Sequence, residues 1–316
     1  MNFILLNVYK SSNYIFFELL TIFNIYNFFS FKVWFTFAFG IKNLKIMEGL
    51  IKILEEFDTK RDKYKDSTKK WDEDAVAECF FEACAKQILC NGYFLINGRY
   101  IIDLGCIELY YNEEGDGKDR IKDPIMYHTN DKNPYSIHYK EIGKYPYFKF
   151  GSFNLHQSGV DVTFEKPEEY RASFLIRSYR VIEKEDNETL ENVESKLNNL
   201  SEPKFDPHST HIFDDMFPNG IMFGDNKDVK IEWIPCVKDG EIEPCKRINV
   251  VEYEMIEDNG VKKFIKKSIK KEKYDTLSDA DKCNYKYKGK ENNETCYYKE
   301  ESRNWGFKRI GIIEHK

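Results

Sequence analysis

The sequence predicts an α+β fold, a curved and mostly antiparallel sheet with flanking helices and a single cleft. Three observations lead there. Apolar residues recur at helical spacing soon after Met47. A two-residue hairpin signal, Asn97-Gly98, sits between β-rich runs in "YFLINGRYII". Later apolar runs rich in Val, Ile, Phe and Tyr are bounded by turn residues rather than by further helical patterns.

The elements follow in order. The first 46 residues hold ten of the 25 phenylalanines, one acid (Glu18) and four lysines. The greasy stretch 15–31 suggests a membrane anchor, but Glu18, Asn24, Asn27 and Lys32 interrupt the span a bilayer needs. It also lacks the basic–apolar–small order of a cleaved leader. Three readings stay open: a start assigned upstream of the true one at Met47, an anchor within residues 15–41, or a packed helix. The domain argument therefore begins at Met47, with a core over 47–183, a polar linker or surface excursion over 184–210, and a β-rich part over 211–316 whose last strand returns to the core. Leu50, Ile53, Leu54 and Phe57 mark a first helix that fades into the charged run 58–70. Asp72 opens a second, with Val76, Cys79, Phe80, Ala83 and Ile88 on one side. After the hairpin comes "DLGCIELYYN", then a loop-like stretch over 112–146. Strand signals resume at "YFKFGSF", "GVDVTFE" and "ASFLIRSYRVIE". A second hairpin is expected about Asn259-Gly260, with one acidic arm and one basic.

Composition narrows the function. At 41% hydrophobic and 32% charged the chain is globular, and its net charge of −6 argues against a uniformly cationic nucleic-acid binder. Eight cysteines include no CxxC, and no histidine lies at finger spacing, so no structural zinc and no metal is expected. They read as reduced thiols of a cytoplasmic protein, expected to be a monomer. No Gly-rich phosphate loop is present, and no cofactor is expected. The seven lysines between Lys262 and Lys273 form the one obvious basic patch. It is expected to be structural, through cross-strand Glu–Lys pairing on a solvated hairpin, with phosphate tracking as the alternative.

One residue stands out. Glu108 interrupts a run that otherwise reads as a buried strand, and a carboxylate in a core is costly unless it is paired, hydrogen-bonded or used. Three other polar residues occupy similar settings: His128 in "KDPIMYHTN", Asp161 in "SGVDVTF" and Arg177 in "FLIRSY". With Tyr110 and neighbouring aromatics they bring a carboxylate, a guanidinium and an imidazole to bear on one face. Hydrolysis at the glycosidic carbon of a nucleoside asks for this set. A carboxylate deprotonates water, an Arg holds the carboxylate in register, and aromatic rings stack on an extruded base.

The order of these segments resembles the alkyladenine (3-methyladenine) DNA glycosylase superfamily, and its uncharacterised bacterial relatives more closely. The match covers about residues 80–183, opening on "EACAKQILCNGYFLINGRYIIDLGCIELYYN", with a weaker echo in "NWGFKRIGII". The resemblance implies Glu108 as the water-activating glutamate and Arg177 as its assistant. It implies Tyr110, His128, Phe150 and Asp161 around the flipped base, and Phe153 as the wedge that fills the vacated stack. Phe150 and Asp161 differ in type from the commoner family residues, and 190–300 has no counterpart. Two functions are thus expected in competition. One is a monofunctional glycosylase of damaged purines in DNA. The other is a non-catalytic protein of the same fold that binds a base, nucleoside or single strand, with Glu108 and Arg177 as a buried pair. A third, a membrane-tethered protein, rests on residues 15–41 alone.

Overall fold

Two fourteen-residue strands, β2 (Tyr100–Glu113) and β5 (Tyr170–Glu183), pair antiparallel along their whole length and organise the protein. The structure, a computed structural model, describes residues 47–65, 70–115, 120–126, 147–216, 230–258 and 261–315. β1 (Gly92–Ile96) folds back on β2 through the expected hairpin, where Asn97 and Gly98 take φ of 53° and 73° and the Arg99 N–H closes the turn on Ile96 O. Both central residues therefore adopt the left-handed conformation that this turn type demands.

The main sheet has eight strands in the order β3-β4-β5-β2-β1-β6, every pair antiparallel. β3 is Ser152–His156, β4 is Gly159–Thr163 and β6 is Ile231–Pro235. β10 (Gly306–Arg309) pairs with the middle of β2, at Cys106–Glu108, and β7 (Ile242–Cys245) lies beyond it. No pair closes the sheet into a barrel among the described residues. Because β6, β7 and β10 all lie beyond residue 230, the segment 211–316 shares the core sheet with 47–183.

Period-two alternation gives the sheet two unlike faces. Ile107, Leu109 and Tyr111 of β2, with Phe174 and Ile176 of β5 and Val160 and Val162 of β4, point into one core and are fully buried. Helices α1 (Glu48–Lys65), α2 (Glu73–Val76) and α3 (Glu82–Cys90) cover that face, α2 running into α3 through a π-helical turn at Ala77–Phe81. Asp72 caps α2 by accepting the Ala75 N–H at 3.0 Å. Phe57 sits at the centre, edge-on to Phe80, Tyr111, Phe164 and Tyr170 and stacked on Phe81.

Two expectations are corrected here. "YFKFGSF" is not a strand throughout: β3 starts at Ser152, and Phe150 and Gly151 form a turn in which Gly151 takes φ of 74° and a Cβ would lie 2.9 Å from Ile51. The segment 184–210 is also more than a polar excursion. It contains α4 (Leu190–Asn198), capped by Thr189, whose Val193 and Leu197 pack with Tyr93, Ile101 and Ile182 in a second apolar cluster. Further on, β8 (Tyr253–Asp258) and β9 (Val261–Lys266) form the second hairpin, with Glu257 opposite Lys262. Among the described residues no helix is long and apolar enough to cross a membrane, and residues 15–41 lie outside them.

Candidate functional site

The sheet face opposite the helices carries a cross-strand polar row. Glu108 of β2 and Asp161 of β4 both lie directly opposite Leu175 of the intervening strand β5. Tyr110, Ser173 and Thr163 form the next row, two residues along. Two successive irregularities in the β2–β5 ladder leave Gly105 and then Arg177 without a ladder partner. A bulge of this kind re-aims a side chain, and here the side chain is the arginine. A Cβ on Gly105 would sit 2.5 Å from the Phe205 ring, so the kink needs glycine.

Above this face lies a cleft of about 610 Å³, with Tyr110, Asp161, Ser173, Leu175 and Arg177 on its floor and residues 207–210 and 248–251, Tyr253 and Lys266 around it. Glu108 lies behind Tyr110 and Arg177, 1% exposed. Its Oε1 accepts the Ile248 N–H at 2.5 Å and lies 3.2 Å from Arg177 Nε, while its Oε2 accepts the Tyr110 hydroxyl at 2.7 Å. Burial pushes the Glu108 pKa above the ordinary carboxylate value, against the pull of Arg177, the Ile248 N–H, Tyr110 and Arg247. Burial, and then the Glu108 charge, push the Tyr110 phenol far up in turn.

Arg177 is held from two sides, by Glu108 and by Ser209, whose Oγ accepts from Nη1 at 3.2 Å. Its Nε meets Glu108 as an ion pair without a hydrogen bond among the described residues, and its side chain is 12% exposed on the cleft. His156 Nε2 lies 3.1 Å from Asp161 Oδ2, giving the floor a second acid–base pair.

Beneath Tyr110 lies a support that sequence reasoning missed. Arg247 places its guanidinium 4.7 Å from the Tyr110 ring centroid and 5.1 Å from that of Trp305. It is locked by Asp123 at 2.6 Å and by both oxygens of Glu301 at 2.8 and 2.5 Å. One face of Tyr110 is thus engaged by a buried cation.

Of the predicted site residues, the structure brings Glu108, Tyr110, Asp161 and Arg177 together. It does not bring Phe150 and Phe153 to them. Phe153 lies opposite Val162, whose β5 neighbour is Phe174, and so belongs to the helix-covered face, with its ring 5.8 Å from that of Phe94. Phe150 packs against the same core. Neither stands over the cleft as stacker or wedge. His128 lies outside the described residues. His156 and Ser209 are cleft residues the sequence did not single out, although a histidine ending one arm of a tight hairpin with Asp161 on the other arm was a signal for the first; Lys266, which also lines the cleft, belongs to the basic patch noted in the sequence.

Comparison of the chain with known protein families, curated proteins and solved structures found no match.

Proposed function

We propose that the cleft binds a flat, hydrogen-bonding heteroaromatic molecule of nucleobase or nucleoside type without hydrolysing it, and that Glu108 serves as the anchor of Arg177. The observation that carries this reading is the state of Glu108. Both of its oxygens are occupied by donors, and it stands behind the cleft floor. A general base must reach its water within hydrogen-bond distance, and here Tyr110 and the Ile248 N–H take the places that water would fill. What Glu108 does in this arrangement is hold the guanidinium in place at the cleft floor, beside Ser209. Apolar walls from Leu175, Val250 and Met126, with polar groups from Asp161, Ser173 and Arg177, suit a planar ring whose edge carries donors and acceptors. A cytoplasmic location goes with this proposal, in keeping with seven free cysteines among the described residues.

One observation favours a second reading, the N-glycosyl hydrolase of damaged DNA purines that the family resemblance implies, on a glycosylase-like sheet. Glu108, Tyr110, Asp161 and Arg177 share one face, and burial raises the Glu108 pKa in the direction a general base needs. In that reading the Tyr110 hydroxyl must release Oε2 to a water.

Calorimetric titration of the full chain with adenosine, hypoxanthine and a single-stranded oligonucleotide separates the two. Arg177→Lys loses the fork geometry and is expected to weaken binding about tenfold, a cost on the scale of one charge-assisted hydrogen bond. Glu108→Gln is expected to weaken it less. Release of hypoxanthine from an inosine-containing oligonucleotide, abolished in Glu108→Gln, would establish the hydrolase instead. Absence of binding to all three ligands would end the first reading.

A further inference from the structure

At the rim of the cleft, just before the short helix α5 (Ile212–Met216), the chain reads Asp206-Pro-His208-Ser-Thr-His211. Both imidazoles turn Nδ1 toward the same carboxylate, His208 at 2.9 Å from Oδ1 and His211 at 2.8 Å from Oδ2. The two rings stack with centroids 4.8 Å apart. We propose that Asp206, His208 and His211 form a binding site for a divalent transition-metal ion of the zinc class, open on its solvent side.

The donor set fits such an ion. The three ligand atoms lie within 4.8 Å of one another. A tetrahedral ion with bonds of about 2.0–2.1 Å holds its ligand atoms about 3.3 Å apart, so small rotations of two surface imidazoles complete the geometry. Two neutral nitrogens and one carboxylate oxygen select zinc, cobalt or nickel over magnesium or calcium, which demand oxygen. The carboxylate is fixed in advance. Asp206 exchanges both backbone hydrogen bonds with Tyr179, and Phe205 beside it is fully buried. The Asp206 carboxylate is also held by the His208 backbone N–H, which donates to Oδ1 at 2.8 Å. The histidines meet the other requirement. With side chains 61% and 58% exposed, each can move its proton from Nδ1 to a solvated Nε2 when the metal takes Nδ1. Three protein ligands leave at least one coordination position vacant, the hallmark of a site that takes up a further ligand rather than a closed structural one.

The position of the site adds to its interest. His208 and its neighbours Pro207, Ser209 and Thr210 all line the cleft, and Ser209 is the residue that Arg177 grips. An ion here would stand beside the anchored guanidinium, able to meet an anionic or carbonyl group of whatever enters. The site itself does not depend on the nucleoside reading. Its ligands come from a single D-x-H-x-x-H turn and not from the Cys and His pairs of a finger, so finger-type spacing gives no hint of it.

The test is competition between the full chain, reduced, and a colorimetric chelator for added zinc chloride, with magnesium chloride as control. One zinc per chain and no measurable magnesium is the expected result. His208→Ala and His211→Ala should each weaken zinc binding about a hundredfold or more, since even outer-shell changes cost 10–100-fold. Asp206→Asn should weaken it at least about tenfold. Circular dichroism of the metal-free variants checks that the fold is intact, and His→Gln replaces any His→Ala variant that misfolds. Cobalt chloride gives an independent readout: a weak ligand-field absorption without a thiolate charge-transfer band, lost in His211→Ala. No zinc uptake, uptake that falls less than threefold in both histidine variants, or a thiolate band on cobalt would each overturn the proposal.

Discussion

The two ends of the Glu108–Arg177 pair sit in different surroundings, and deleting them is expected to cost unequal amounts. Arg177→Met strands a carboxylate that is 1% exposed, leaving the Tyr110 hydroxyl, the Ile248 N–H and the charge of Arg247 to offset it. Removing one partner of a buried pair costs about 3–5 kcal/mol, and the two retained donors place this case near the lower end. Glu108→Gln leaves the arginine facing the cleft and still bonded to Ser209. The new amide oxygen can accept from Ile248, and the Tyr110 hydroxyl can turn to accept from the amide nitrogen. One charge-assisted contact is lost, about 1–2 kcal/mol. The pH dependence sharpens the contrast. A carboxyl whose folded pKa is raised above its unfolded value binds more protons in the folded state. Its stability contribution is greatest below the unfolded pKa and falls as pH rises through the folded one. Burial already raises Glu108, and loss of Arg177, the largest opposing influence, raises it further. The deficit of Arg177→Met should therefore widen from pH 5 to pH 8, while that of Glu108→Gln stays flat or narrows. Urea unfolding of the wild type, both single variants and the double variant at three pH values measures this directly. The account of the site fails if Arg177→Met costs no more than Glu108→Gln at pH 8. It fails equally if the double-mutant coupling is below about 0.5 kcal/mol.

What the sequence could disclose was whatever alternation writes into a single strand. Glu108 and Tyr110 share a face because they are two residues apart, and Ile107, Leu109 and Tyr111 take the other. That much is legible before any pairing is known. Phe153 shows the limit. Its face relative to Asp161 depends on the register of the β3–β4 hairpin, where His156 pairs with Gly159, and Phe153 consequently falls opposite Val162. A shift of one residue would have turned it toward the cleft. Arg247 was beyond local reading altogether. It lies between strands with no periodicity, and its partners are 124 residues away at Asp123 and 54 away at Glu301. Helix α4 was hidden for a third reason. Only two of its core-facing positions, Val193 and Leu197, carry the apolar signal, and polar neighbours dilute it.

Two further perturbations probe the frame that positions the site. Gly105→Ala would press a methyl to 2.5 Å from the Phe205 ring, which is itself fully buried beneath the Arg180 guanidinium and cannot yield. A loss of about 1–3 kcal/mol is expected, visible as a lower thermal midpoint, and an unchanged midpoint would show that the ring moves freely. The second concerns Asp103, a fully buried carboxylate that faces Lys238 at 2.7 Å, Arg180 at 2.9 Å and Arg309 at 3.1 Å. Three cations on one anion would be untenable without the C-terminal carbonyls of α4, where Lys196 O and Leu197 O accept from Arg180 and Leu197 O also accepts from Arg309. Burial pushes Asp103 up, but the three cations together hold it below its ordinary value, and burial drives Lys238 down from its own. The anion is thus indispensable and the lysine charge is in excess. Asp103→Asn should cost about 4 kcal/mol or more, and in the wild type the contribution of Asp103 should persist above the unfolded pKa and vanish only as pH falls through the lower folded one. Lys238→Met should stay within about 1 kcal/mol of the wild type, since it removes a poorly solvated charge and leaves Asp103 bonded to two arginines. Denaturant midpoints for the two variants decide the matter, and equal losses would mean that the cluster needs all three of its cations.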